Sequence, residues 1–172
     1  MGIEEQLNAV SPIDGRYLEK TSKLREYFSE KAVIKYRIMV EVYYLNALLP
    51  FIGYDCTVKD ATKIRQIYEN WKMIDAVEVK TIEYTTKHDV KAVEIFIRNK
   101  LDEKRLSQYK EMVHFGLTSQ DINSTANILS IRDTNENEVI PLVKQFIENL
   151  TNQSKQWNIP MLSKTHGQAA SP

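Results

Sequence analysis

Apolar residues recur along most of the chain at the three- and four-residue spacing of an α-helix. The longest stripe has spacings of four, four, three and four, through Ile34, Ile38, Val42, Leu45 and Leu49. Residues at this spacing lie on one face of a helix and can be buried together. The stripe predicts a helix from about residue 22 to Pro50, where a proline removes a backbone hydrogen-bond donor.

Two further stripes predict two more helices, and a capping pattern predicts a fourth. The second stripe comprises Val58, Ala61, Ile64, Tyr68, Trp71 and Ile74, and the third comprises Val90, Val93, Ile97 and Leu101. The fourth helix is predicted to run from Thr118 to about Asn158, with an interruption near residues 135–141. Each stripe is typical of a helix with one buried face.

Capping signals predict where these helices begin. Thr57 is followed three residues later by Asp60, and Thr118 is followed three residues later by Asp121. Both pairs resemble a capping box in which a carboxylate replaces the usual Glu or Gln. Asp89 is the predicted N-cap of the third helix.

The fold class predicted from these patterns is all-α. No segment alternates apolar and polar residues over the length of a strand, and the Asp14-Gly15 pair is not flanked by such segments and so does not mark a hairpin. A charged stretch at residues 102–109 precedes the fourth predicted helix. We therefore expect an N-terminal helical domain at residues 1–110 and a second helical domain that begins at residue 111 and includes residue 172.

Composition excludes several classes of protein. Lys and Arg together number 23, as do Asp and Glu, so the formal net charge is zero and the basic excess typical of a nucleic-acid-binding domain is missing. The longest apolar run, at residues 32–51, is interrupted by Lys35, Arg37 and Glu41, which argues against a membrane helix. The single cysteine, Cys56, excludes an internal disulfide and makes a cysteine-based metal site improbable, so we expect a cytoplasmic protein.

The chemically distinctive residues lie in polar clusters between the predicted helices, and the first cluster is at residues 11–17. Pro12 and Gly15 bracket a turn that is followed by Arg16 and Tyr17. A guanidinium beside a phenol suits an anion such as a phosphate or a carboxylate. The alternative is a structural turn whose arginine caps a neighbouring helix.

The second cluster contains Lys87, His88 and Asp89 at the start of the third helix. The positive end of a helix dipole favours the neutral form of an imidazole placed just before it, which suits a role in hydrogen bonding or positioning. The alternative is that His88 serves only as an exposed helix cap.

The third and fourth clusters surround Thr118 and His166. Thr118 and Ser119 place hydroxyl groups where the first backbone N–H groups of a helix are unpaired, which is a favourable place for a carboxylate, although Thr118 also suits a plain cap. His166 stands among small residues and could donate a proton to a departing nitrogen. A zinc site is the rival interpretation for the three histidines, but their spacing matches no compact ligand pattern.

Four segments of the chain resemble motifs of the adenylosuccinate lyase family, within the fumarase/aspartase superfamily. They are SPIDGRY, TTKHDVKAVE, HFGLTSQDIN and KTHGQAASP, in the order and at the approximate spacing of that family. The resemblance begins near residue 9 and implies an N-terminal helical domain followed by the first long helices of a central helical bundle. It covers well under half of a complete family member.

The resemblance implies a β-elimination that releases fumarate from adenylosuccinate, giving AMP, and from the related succinyl-carboxamide ribotide of purine biosynthesis. It assigns His166 as the general acid and His88 as the second histidine, which binds and orients substrate. Arg16 and Tyr17 match nucleotide-binding positions, and Lys87, His88 and Asp89 match a substrate-contacting trio. Thr118 and Ser119 match the pair that holds the succinyl or fumarate portion. No metal and no organic cofactor is implied.

The resemblance further implies a homotetramer whose active sites are shared between subunits. The family's loop that resembles SSxMPxKxNP, and bears the base serine, does not occur in these residues. We therefore expect a truncated chain or one piece of a cleaved enzyme, inactive and prone to self-association on its own. Two other hypotheses stay open: the chain is a non-catalytic helical assembly module, or it belongs to another lyase of the same superfamily.

Overall fold

The computed structural model describes residues 2–157, 163–165 and 168–170, and these residues are mostly helical. The α-helices are α1 (Ile3–Leu7), α2 (Arg25–Phe28), α3 (Glu30–Phe51), α4 (Val58–Glu69), α5 (Met73–Thr86), α6 (Asp89–Glu103), α7 (Ser119–Thr134) and α8 (Ile140–Gln156). Short 3-10 helices cover Ser22–Leu24 and Ser107–Met112, and a π-helical turn covers Asn135–Val139. The predicted all-α fold class is confirmed.

Two short strands, which the sequence analysis did not predict, accompany the helices. β1 (Ser163–Thr165) pairs antiparallel with β2 (Gln168–Ala170), with Ser163 opposite Ala170. Each strand has three residues, so neither is long enough to show the alternation that predicts a strand from sequence.

The first predicted helix is interrupted near its start. Ser29 has an extended backbone, with φ −70° and ψ 162°, and its hydroxyl accepts a hydrogen bond from the N–H of Ala32. This cap begins α3 at Glu30 and separates it from the short α2, so the predicted start near residue 22 is wrong. Pro50 lies in the last turn of α3, which ends one residue later, at Phe51.

The second predicted helix is two helices. Helix α4 ends at Glu69, and α5 starts at Met73 after the N–H of Lys72 donates to the Asp75 carboxylate over 2.7 Å. Trp71, in the connection, packs edge-on against Phe96 with 6.4 Å between ring centres. The apolar stripe continues across the break between the two helices because Trp71, although it lies in a loop, packs against the same core.

Of the predicted caps of α4 and α6, one is confirmed and one is wrong by one residue. Thr57 caps α4, since its hydroxyl accepts from the N–H of Asp60. The predicted cap Asp89 is wrong, because the N-cap of α6 is His88 and Asp89 is the first helical residue. The predicted interruption near residues 135–141 is confirmed by the π-helical turn there, and α8 ends at Gln156, short of the predicted Asn158.

The hydrophobic core lies among α3, α4, α5 and α6. Its fully buried side chains include Ile38, Leu45, Ile64, Phe96 and Leu101. Helix α3 contributes the whole of its predicted stripe to this core. Because α3 contacts both α6 and α7, it is the scaffold against which the starts of these two helices are placed.

The chain packs as two compact units, residues Met1–Thr134 and Asn135–Pro172. The predicted domain division at residue 110 stays a prediction. None of the helices in the described part of the chain has an apolar stretch that could cross a bilayer.

Candidate active site

Helix α6 begins at an imidazole. The Nδ1 of His88 accepts a hydrogen bond from the backbone N–H of Lys91 over 3.0 Å. A ring nitrogen that accepts a hydrogen bond carries no proton, so in this cap the ring's donor is Nε2. The side chain is 51% exposed, which leaves it within reach of a ligand.

Helix α7 begins at a reciprocal capping box. The N–H of Thr118 donates to the Asp121 carboxylate over 2.8 Å, and the N–H of Gln120 donates to the Thr118 hydroxyl over 3.2 Å. The capping pattern predicted for Thr118 and Asp121 is therefore confirmed. Gly116, with φ +74°, provides the left-handed backbone that turns the chain into this helix.

The two helix starts meet although they are far apart in sequence. The Nε2 of His88 lies 3.4 Å from the Oγ of Ser119, across 31 residues of chain. Each helix start directs the positive end of a dipole at this contact, although the N–H groups of Lys91, Thr118 and Gln120 are already bonded to capping side chains. An imidazole N–H, a hydroxyl and two helix N-termini thus share one surface, and this combination suits a carboxylate ligand.

An ion pair holds the start of α6 in place. The guanidinium of Arg37 lies 2.7 Å from the Oδ2 of Asp89 and also donates to the side-chain oxygen of Asn123 over 2.8 Å. Burial would raise the pKa of Asp89, but the Val90 N–H and Arg37 together hold this pKa below its ordinary value. Arg37 therefore ties α3 to α6 and α7, and the Asp89 carboxylate already has a cationic partner.

Lys87 lies beside this pair but directs its ammonium group elsewhere. Its backbone is left-handed, with φ +54°, and ends α5. The Nζ atom lies 4.1 Å from the centre of the Tyr84 ring, a cation–π contact. The three consecutive residues Lys87, His88 and Asp89 therefore contact different partners: the Tyr84 ring, the Lys91 N–H and the Arg37 guanidinium.

Arg16 and Tyr17 form a separate group. The Arg16 guanidinium carbon lies 4.9 Å from the Tyr17 ring centre, and Arg16 also lines a cavity of about 310 Å³ in the N-terminal segment. A Cβ on Gly15 would lie 2.9 Å from the carbonyl oxygen of Gln6, so this close turn requires glycine. Within the described residues, no hydrogen bond or ion pair joins Arg16 or Tyr17 to His88 or Ser119.

His166, the predicted general acid, lies outside the described residues. Its position relative to His88 stays a prediction. Among the described residues, His, Cys, Asp and Glu side chains form no group of three that could hold a metal ion.

One row of polar residues on α3 was not predicted to belong to the site. Arg37, Glu41 and Tyr44 follow one another at spacings of four and three, which places them on one helix face, next to the apolar stripe. Arg37 contacts Asp89, Glu41 contacts His114, and the Tyr44 hydroxyl donates to the carbonyl of Phe115. Arg37 and Glu41, two of the three charges in the apolar run at residues 32–51, were the available signal for these contacts.

Comparison with known proteins identifies relatives of the whole chain. A family model described as lyase matches residues 15–172. The chain is 49% identical to the adenylosuccinate lyase of Dictyostelium discoideum, 43% identical to that of Buchnera aphidicola from Schizaphis graminum and 40% identical to that of Escherichia coli K12. Each match covers 96% of this chain and 38% of the relative, so the chain spans less than half the length of these curated relatives.

The family match includes every predicted site residue from Arg16 to His166, and it extends through both compact units. It therefore covers both helix starts that meet at His88 and Ser119. On this evidence the chain belongs to the lyase family.

Proposed function

We propose that this chain is the N-terminal portion of an adenylosuccinate lyase. The complete enzyme would eliminate fumarate from adenylosuccinate, giving AMP, and from the succinyl-carboxamide ribotide of purine biosynthesis. The observation that carries the proposal is the approach of His88 to Ser119 at two converging helix N-termini, where a succinyl carboxylate would be stabilised. Relatives that bear the name adenylosuccinate lyase support the choice of substrate.

The elimination requires one base and one acid. A base removes a proton from the carbon next to a succinyl carboxylate, and the resulting carbanion expels the nitrogen, which must gain a proton as the C–N bond breaks. In the proposal His166 supplies that proton, while a serine of the family's loop, absent from these residues, acts as the base. Neither step requires a metal or an organic cofactor.

The remaining site residues would bind and orient the substrate. His88 would donate from Nε2, and Thr118 and Ser119 would hold the succinyl or fumarate portion by their hydroxyl groups. Arg16 and Tyr17 would bind the nucleotide. Lys87 would contact the substrate after leaving the Tyr84 ring, and Asp89, paired with Arg37, would act by fixing the start of α6.

The proposal includes a cytoplasmic homotetramer in which neighbouring subunits complete each site. The exposed apolar side chains of α8 support assembly, because a helix with one apolar face is stabilised when that face is covered. The chain alone is expected to lack lyase activity.

The proposal can be tested in a chimera. Residues 1–172 would replace the matching segment of the Dictyostelium discoideum enzyme, and the cleavage of adenylosuccinate would be followed by absorbance. The parent chimera should be active, and His166→Ala and His88→Ala should each lower kcat by about 100-fold or more, as expected for a lost acid or orienting group. Thr57→Ala is the matched control, because it also removes a helix cap but lies on α4.

Two outcomes would contradict the proposal. If both histidine variants turn over as fast as the parent chimera, the helical assembly module is the better description. If elimination does not depend on the nucleotide part of the substrate, the chain belongs to a different lyase of the superfamily.

A further inference from the structure

Helix α3 carries a carboxylate in the interior of the protein. Glu41 is 1% exposed, and its Oε1 lies 2.5 Å from the Nδ1 of His114. Its Oε2 has no hydrogen-bond partner among the described residues. Burial raises the pKa of Glu41, while the contact with His114 opposes that rise. A carboxylate held in this way costs free energy of folding, so its presence calls for a function other than stability.

The residue that Glu41 holds belongs to an unusual turn. His114 has φ +63° and Gly116 has φ +74°, so two of three consecutive residues are left-handed. A left-handed backbone is unfavourable for histidine and needs support from its surroundings. The imidazole contact to Glu41 provides that support, and the Tyr44 hydroxyl fixes the next carbonyl, that of Phe115, over 2.7 Å.

This turn leads directly into the candidate active site. The N–H of Leu117 donates to the carbonyl of His114, and Thr118 then opens the capping box of α7. Only three residues lie between His114 and Thr118, so a shift of the turn moves the first residues of α7 with it. Ser119, which lies 3.4 Å from the His88 ring, is the first of these helical residues.

We propose that Glu41 is a positioning residue that acts through His114 to place Thr118 and Ser119 against His88. The Glu41–His114 contact fixes the turn, the turn fixes the start of α7, and the start of α7 fixes the hydroxyl groups that face the substrate. The expected consequence for turnover rests on the proposed lyase function, whereas the expected consequence for the turn does not.

The rival interpretation is a purely structural pair. The neighbouring Glu94 is also buried, but both of its oxygens are paired: Lys91 donates to both, and Arg98 also contacts Oε1. If Glu41 served stability alone, its replacement by an apolar residue of similar size would alter the free energy of unfolding and leave the geometry of the turn unchanged.

The first experiment measures the turn in the 172-residue chain. Glu41→Leu removes the carboxylate and leaves an apolar helix former, and Glu41→Gln keeps an oxygen that accepts from Nδ1. Hydrogen exchange of the backbone amides of residues 115–119 should accelerate by about tenfold or more in Glu41→Leu and little in Glu41→Gln. Tyr36→Phe is the matched control, since it removes a bond from the same helix to Asp133, on the C-terminal turn of α7.

The second experiment measures turnover in the chimera described above. Glu41→Leu should lower kcat/KM about 10- to 100-fold, mainly through kcat, because misplaced binding groups stabilise the transition state poorly. Glu41→Gln should retain most of the activity, and Tyr36→Phe should match the parent. If Glu41→Leu does not fold, His114→Asn replaces it, because asparagine tolerates the left-handed backbone while removing the imidazole.

The outcomes separate the two proposals. Unchanged amide exchange at residues 115–119 in a folded Glu41→Leu or His114→Asn chain would overturn the positioning role. Accelerated exchange without any loss of turnover would show that the turn is fixed by Glu41 but does not serve catalysis, which also overturns it. An inactive parent chimera would count against the lyase function alone, because amide exchange would still report on Glu41.

Discussion

Helices α3 and α8 carry similar apolar stripes and differ in what covers them. In α3 the side chains of Ile34, Ile38, Val42, Leu45 and Leu49 are at most 1% exposed. In α8 the side chains of Leu142, Val143, Phe146, Ile147 and Leu150 are 48–67% exposed, and the helix has no buried residue. An apolar stripe therefore accompanies a helix in both cases but does not identify what covers the stripe.

A second difference concerns the polar residues next to each stripe. In α3 the adjacent face carries Arg37 and Glu41, which contact Asp89 and His114 near the starts of α6 and α7. Helix α3 thus packs the core and positions the candidate site at once. In a helix that is buried on several sides, a charge marks a specific contact, because an unpaired charge there would be costly.

The largest expected effect compares the same substitution on the two helices. Leu45→Ala should lower the free energy of unfolding by about 2–5 kcal/mol, because it leaves a cavity in the core. Leu150→Ala should change it by less than about 0.5 kcal/mol, since Leu150 is already half exposed. Urea denaturation at low protein concentration measures both. Equal losses would mean that the α8 stripe is covered within the chain.

The next effect concerns the exposed stripe of α8. We expect the chain to self-associate, and Phe146→Glu should raise the midpoint concentration of association by about tenfold or more, because it replaces a large apolar contact. Phe51→Glu, at an exposed residue on the last turn of α3, is the control and should have a smaller effect. Sedimentation velocity over a range of concentrations gives the midpoint. A chain that stays monomeric throughout would contradict the expectation.

A smaller change, in the free energy of unfolding, is expected when the ion pair that joins α3 to α6 is removed. The pKa of Asp89 is lowered in the folded state, so the unfolded chain binds more protons near pH 4. The stability that this pair contributes is therefore present above the ordinary pKa of 3.8 and is lost as the pH falls through the folded value. Asp89→Asn should cost about 1 kcal/mol at pH 6, reduced by the partial exposure of Asp89.

The measurement for Asp89 is the difference in free energy of unfolding between the parent chain and the variant, from pH 6 down to pH 2.5. This difference should shrink as the pH falls, because the parent loses the charge that the variant never had. A difference that stays constant with pH would show that the Arg37 contact contributes no net charge interaction.

The smallest change in the free energy of unfolding is expected when the cap at the start of α7 is removed. Thr118→Ala should cost about 0.5–1 kcal/mol, because the Gln120 N–H loses its acceptor while the Asp121 half of the capping box remains. Thr151→Ala on α8 is the matched control, because Thr151 bonds only within its own helix, to the carbonyl of Ile147. Thermal unfolding of the two variants would show a loss for Thr118→Ala alone. Equal changes would argue against a cap at Thr118.

Much of the fold could be predicted because local rules govern it. Thr57 and Thr118 cap helices as their sequence patterns indicate, and the π-helical turn lies where an interruption was expected. The break at residues 70–72 could not be predicted, because Trp71 continues the apolar period from a loop. The predicted cap Asp89 is wrong because the imidazole of His88 caps α6, and the actual partner of Asp89, Arg37, lies 52 residues away in sequence.

The sequence alone determined the helical character, the starts of α4 and α7, and the clusters in which His88, Thr118 and Ser119 stand. These properties depend on spacing and on contacts within one or two turns. Only the tertiary structure decided that Ser119 reaches His88 and that Glu41 and Arg37 hold the two helix starts. Those contacts join residues 31 to 73 positions apart, and they depend on how the helices pack around α3, which no local pattern encodes.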